Sequence, residues 1–240
     1  TQECCVTYNM LKLSRHLFSW TADPRVADYY ERAYLNGILG TMHPADGDKL
    51  YYVSLADGLW KLFGTPGHDY WCCTGSMAES FAKLGDSLYF HDEAGLYVNL
   101  FVASELDWRE RDVRIVQDTR FPEEEVTRLT VRTARPATFA LRVRVPAWAA
   151  GGHATLNGRA LESFAPPGSY LVVERRWKDG DRLEVTLPMA LRAESLPDAP
   201  ARHALCYGPL VLVETLFVPL ILRGVSLWDT PTAPVRKKLE

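Results

Sequence analysis

Phe139-Ala140-Leu141-Arg142-Val143-Arg144-Val145 decides how the second half of this chain folds. Successive side chains on a strand point to opposite faces. Leu141, Val143 and Val145 therefore share one face and Arg142 and Arg144 the other, the pattern of a half-buried antiparallel strand. Similar short runs bounded by turn residues recur at Leu96-Tyr97-Val98-Asn99-Leu100-Phe101, Val113-Arg114-Ile115-Val116, Leu129-Thr130-Val131-Arg132, Tyr170-Leu171-Val172-Val173 and Leu183-Glu184-Val185-Thr186-Leu187. Asn157-Gly158 and Asp179-Gly180 supply hairpin turn dipeptides. The runs predict an antiparallel β-sandwich over residues 93–215.

Before Gly95 the period is helical. Val6, Met10, Leu13 and Leu17 form one apolar stripe along a helix that closes near Trp20. Asp23-Pro24 supplies an N-cap followed by proline at the first helical position, and opens a second helix with Val26, Tyr30, Ala33 and Gly37 on one side. Met77, Phe81, Leu84 and Leu88 make a third stripe directly behind Cys72-Cys73. The cysteine pair thus sits at a helix entrance, where backbone N–H groups and the helix dipole lower a thiol pKa. Residues 50–55 and 59–63 are aromatic-rich and flank Asp57-Gly58, so they form a hairpin or long loop placed to wall a pocket. The fold class is α+β: a helical part over residues 1–92, a sandwich over 93–215, and an irregular tail or the start of a further segment over 216–240.

Composition excludes several classes of function. The 240 residues carry a net charge of -3 and no basic run, which argues against a nucleic-acid partner. The apolar stretch from Leu205 to Leu227 is broken by Gly208, Pro209, Glu214, Pro219, Arg223 and Gly224, so it predicts strands and turns rather than a membrane span. Five cysteines, Cys4, Cys5, Cys72, Cys73 and Cys206, make no regular disulfide framework; they point to a reducing compartment or to metal ligation. The chain opens on Thr1, with no structure ahead of Glu3, and is expected to be a piece of something longer.

Adjacent cysteines on extended chain diverge, so Cys72 and Cys73 need something to gather them. A zinc ion would do so, with Glu3, Cys5, Cys72 and Cys73 as three soft thiolates and one carboxylate. A vicinal Cys72-Cys73 disulfide and small buried apolar thiols are the alternatives. Around the pair, His68 lines a pocket or serves as a surface or packing residue, and Tyr70 and Trp71 stack on a bound ligand or belong to the core. Glu79 and Asp86, seven apart, read as a solvated helix face rather than as paired catalytic carboxylates. His16 and His91 have no partner at metal spacing, and Glu123-Glu124-Glu125 is a solvated loop.

Glu3-x-Cys5 with Tyr8-Asn9-Met10-Leu11-Lys12-Leu13, then Asp28-Tyr29-Tyr30-Glu31-Arg32-Ala33, Asn36-Gly37-Ile38-Leu39, Tyr70-Trp71-Cys72-Cys73-Thr74-Gly75 and Tyr97-Val98-Asn99-Leu100-Phe101, resembles the β-L-arabinofuranosidases of glycoside hydrolase families 127 and 146. The resemblance runs from about residue 2 to about residue 213. It implies the C-terminal part of an (α/α)6 catalytic barrel followed by a β-sandwich, and an arabinose-containing oligosaccharide or glycan as substrate. It also implies Zn2+ held by Glu3, Cys5, Cys72 and Cys73, with Cys72 as the nucleophile. The family's acid/base glutamate precedes the Glu-x-Cys motif, so none is expected in this chain and the isolated 240 residues are expected to be inactive. Cys4 departs from the family, which carries a small polar residue there; it would compete as a ligand or simply pack. The competing function is a noncatalytic carbohydrate-binding or architectural sandwich with a structural zinc clamp.

Overall fold

A computed structural model of the chain describes residues 2–54, 59–65 and 67–213. Asp57-Gly58, the part of the Leu205 to Leu227 stretch beyond Val213, and the 216–240 segment lie outside the described residues.

The helical part opens with a short strand, β1 (Gln2–Glu3), that runs straight into α1 (Cys4–Thr21). Ala22, at φ 49°, ends that helix, and its N–H donates to the Phe18 carbonyl. Asp23 caps α2 (Pro24–Ala33) by accepting from the Arg25 N–H at 2.9 Å, with proline at the first position as the sequence predicts. The helix continues through a π turn (Tyr34–Ile38) and a 3-10 turn (Leu39–Thr41). A second short strand, β2 (Tyr52–Val53), pairs antiparallel with β1, and α3 (Cys72–Ala82) follows.

The predicted apolar stripe of α1 faces outward: Val6 is 55 % exposed, and Met10, Leu13 and Leu17 are exposed too. The buried face instead carries Cys4, Thr7, Tyr8, Leu11, Ser14 and Phe18. Its polar members are satisfied locally. Ser14 Oγ donates to the Met10 carbonyl at 2.8 Å, and Thr7 Oγ1 accepts from Gln2 at 2.5 Å. In the third stripe Met77 and Leu88 are buried, and Phe81 and Leu84 pack against the same core.

Strands begin with β3 (Tyr89–His91) and β4 (Gly95–Val98), followed by β5 (Ser104–Trp108), β6 (Val113–Thr119), β7 (Val126–Thr133) and β8 (Ala137–Val145). Then come β9 (His153–Leu156), β10 (Arg159–Ala160), β11 (Ser169–Trp177) and β12 (Arg182–Thr186), and finally β13 (Leu191–Leu196), β14 (Ala199–Tyr207) and β15 (Leu210–Val211). A six-stranded sheet in the order β10-β9-β12-β7-β6-β5 and a four-stranded sheet in the order β11-β8-β4-β3 share one apolar core; β13-β14-β15 form a smaller sheet. Ile115, Leu129, Val131 and Leu183 from the six-stranded sheet meet Val98, Leu141, Val143 and Leu171 from the four-stranded one. Each such side chain contributes about 1.5–3 kcal/mol by leaving water.

Three expectations need correction. The four-stranded sheet is mixed, because β4 runs parallel to β8. Asp179-Gly180 is not a hairpin turn: it joins β11 to β12, which lie in different sheets, through a turn closed by Asp181 N–H to the Lys178 carbonyl. Asn157-Gly158, at φ 51° and 79°, does close the β9–β10 hairpin. Finally, the arginine face of β8 is not solvated. Arg144 is fully buried beneath α2, where it donates to the Asn99 carbonyl at 2.7 Å, to Glu31 at 2.5 Å and to Asp28. Helices cover a sheet face that alternation alone assigns to water.

A candidate metal centre and reactive thiol

The N-termini of α1 and α3 converge. Glu3 ends β1, and Cys5 lies in the first turn of α1; Cys72 and Cys73 begin α3. The four ligand atoms of Glu3, Cys5, Cys72 and Cys73 all lie within 4.8 Å of one another. A tetrahedral zinc about 2.3 Å from each sulfur sets its ligand atoms roughly 3.8 Å apart, so this set needs only a small contraction to accept the ion.

Local structure explains the gathering. Antiparallel pairing sets Glu3 opposite Tyr52, which ties the carboxylate to the aromatic segment. At the head of α3, the Trp71 N–H donates to Thr74 Oγ1 at 3.1 Å, and that hydroxyl donates to the Asp69 carbonyl at 3.1 Å. Asp69 Oδ2 in turn accepts from the Thr65 N–H at 2.6 Å and hydroxyl at 2.8 Å. The first turn of α3, which carries both cysteines, is thereby held in place.

The members of the set differ in environment. Cys73 is buried, Glu3 and Cys5 are partly covered, and Cys72 is exposed. Cys5 Sγ donates to Glu3 Oε2 at 3.1 Å, and the neighbouring carboxylate pushes that thiol up to about 12. The Tyr51 hydroxyl, 3.3 Å from Cys72 Sγ, holds the Cys72 thiol below its ordinary value. Three thiolates and a carboxylate at this spacing repel one another, so full ionisation calls for a cation, and soft sulfur donors suit Zn2+. Cys4 resolves to packing: it is 1 % exposed in a cluster with Leu11, Ile38 and Met77, and burial pushes its thiol up.

A cleft of about 770 Å³ opens beside the thiols, lined among others by Tyr51, Tyr52, Trp60, Leu62, Phe63 and Trp71. The aromatic segments therefore wall a pocket, as their sequence suggests. Trp71 lines this cleft, whereas Tyr70 lines a neighbouring depression with Gly67 and Asp69; exposed His68 lines neither. Glu79 accepts from the Tyr8 hydroxyl, while Asp86 pairs with Arg15 at 3.3 Å, so they do not act together. His16 stacks on Trp20, and His91 packs beside Trp108. Sequence reasoning missed Tyr51 and Thr74. Thr74 carried a signal, since a hydroxyl three residues after the N-cap is a capping pattern; nothing in the aromatic run marked the Tyr51 hydroxyl.

Residues 1–86 match the family model described as the catalytic domain of GH127 β-L-arabinofuranosidase, and residues 95–189 match that of the GH127 middle domain. Among solved structures, a GH127 β-L-arabinofuranosidase from Geobacillus stearothermophilus T6 is 26 % identical, with a TM-score of 0.75 over 87 % of this chain and 36 % of its own. A glycoside hydrolase at 22 % identity (TM-score 0.75, 87 % of this chain, 37 % of its own) and a GH127 β-arabinofuranosidase at 24 % (0.74, 87 %, 36 %) share the fold. The chain spans little more than a third of the length of these proteins. No curated protein matches it.

Proposed function

We propose that this chain, which belongs to the β-L-arabinofuranosidase family GH127, is part of a retaining glycoside hydrolase that releases terminal β-L-arabinofuranose from an arabinose-containing glycan, with Cys72 as its nucleophile. One observation carries the reading: four donors suited to zinc converge, and the sulfur exposed to solvent, beside a cleft whose wall includes Tyr51 and Trp71, is that of Cys72.

Glu3, Cys5, Cys72 and Cys73 would hold Zn2+, whose charge keeps the sulfurs as thiolates near neutral pH. The Cys72 sulfur attacks the anomeric carbon while the glycosidic C–O bond breaks. The departing oxygen takes its proton from a carboxylic acid outside these 240 residues. Water then cleaves the carbon–sulfur bond and gives its proton to that same carboxylate, so the Cys72 thiolate is restored and two inversions leave net retention. Tyr51 donates a hydrogen bond to the sulfur and steadies its charge.

In this reading residues 1–92 are the C-terminal part of an (α/α)6 barrel and residues 93–215 a β-sandwich domain, except that β3 (Tyr89–His91) pairs with β4 and so belongs with the sandwich. The outward stripe of Val6, Met10, Leu13 and Leu17 supports it, since a barrel helix needs further helices against that face. The two sheets around one core support the second assignment.

The test is an arabinofuranose-configured electrophile applied to the full-length protein, with peptide mapping by mass spectrometry. A single adduct on Cys72, and loss of turnover in Cys72→Ser, are expected. An unmodified Cys72 together with wild-type turnover in Cys72→Ser would return the zinc to a purely structural role.

A further inference from the structure

We infer that the cleft beside Cys72 seats the leaving-group portion of the glycan, a neutral sugar, with Trp60 as its stacking platform; the inference rests on the hydrolase reading above. The cleft adjoins the reactive sulfur, because Tyr51 both lines the wall and reaches Cys72 Sγ, and Trp71 lines the wall and precedes Cys72 in the chain. At about 770 Å³ the space is far larger than one pentose ring requires and falls within the range of sites that hold drug-sized ligands. The arabinose being released therefore leaves most of it to the rest of the substrate.

The chemistry of the wall selects a neutral occupant. Among the described residues that line it only Asp69 carries a charge, and Oδ2 of that carboxylate already accepts two hydrogen bonds from Thr65. Among the described residues no lysine or arginine lines the cleft. Trp60 is 68 % exposed and Leu62 73 %, so apolar surface stands open to solvent next to a reactive group. Sugar rings fit such a surface: their C–H faces lie on the aromatic ring while their hydroxyls stay in water.

The experiment compares a β-L-arabinofuranosyl disaccharide with methyl β-L-arabinofuranoside, whose leaving group is too small to reach Trp60, in the full-length protein. The ratio of kcat/KM for the disaccharide to that for the methyl glycoside should fall about tenfold in Trp60→Ala, the loss of one aromatic contact, and recover in Trp60→Phe. An unchanged ratio in Trp60→Ala overturns the inference. Should the unmodified protein hydrolyse neither glycoside, the hydrolase reading fails separately, and calorimetric titration with the same two compounds decides the cleft. A preference for the disaccharide that Trp60→Ala removes supports it, and no preference overturns it.

Discussion

Arg144 of β8 and Glu31 of α2 form an ion pair at 2.5 Å that is closed to solvent and joins the helical part of the chain to the sheets. Glu31 also accepts from Trp148 Nε1 at 3.0 Å, and Asp28 accepts from both Arg144 and the Ala147 N–H. Removing one partner strands a buried charge. Arg144→Ala should therefore cost about 3–5 kcal/mol of stability, checked by chemical denaturation. A loss near that of a surface substitution would show that the pair does not tie the two parts together.

A second stabilising contact titrates. Asp181 is buried in the turn between the sheets, and although burial raises its carboxyl, the Lys178 N–H, Asn157 and Arg175 outweigh that and hold it below the usual carboxylate range. A depressed folded-state pKa contributes stability that is present above the unfolded value of about 3.9 and lost as pH falls through the folded one. Asp181→Asn should cost about 1.5 kcal/mol at neutral pH, and the difference from wild type should shrink as the pH drops below about 4. Denaturation curves across pH check this; a pH-independent difference would contradict it.

Gly95 shows how tightly β4 and β8 approach. A Cβ built there would sit 1.9 Å from the Ala140 carbonyl oxygen, a backbone atom that cannot swing aside. Gly95→Ala should break the parallel pairing and cost about 3 kcal/mol or more. Thermal unfolding at an unchanged midpoint would refute the close approach.

The Tyr51 hydroxyl beside Cys72 gives a reactivity prediction. Because that contact lowers the thiol pKa, Tyr51→Phe should leave less thiolate at neutral pH and slow alkylation of Cys72 severalfold in metal-free protein. Equal rates in the two proteins would mean that the hydroxyl does not touch the sulfur in solution.

How much of this was legible in the sequence depended on what each residue touches. The donor set was legible because adjacent cysteines diverge on extended chain and need something to gather them, and the structure brings together the same Glu3, Cys5, Cys72 and Cys73. The orientation of α1 was not, since its buried face is half polar and satisfies itself through Ser14 and Thr7. Alternation in β8 located the strand but assigned Arg144 to water; only the acidic residues Asp28 and Glu31, more than a hundred positions earlier, reverse that assignment. Asp179-Gly180 carries a turn signal that does not say which sheet the chain enters next.

No helix among the described residues is long and apolar enough to cross a membrane. Elemental mass spectrometry of the unmodified chain, Cys72→Ser and Cys4→Ser is the most direct test of the candidate centre. About one zinc per chain, lost or reduced in Cys72→Ser and retained in Cys4→Ser, is the result expected of one ion with four ligands. A folded chain without zinc would contradict the centre and remove the main support for a thiolate nucleophile.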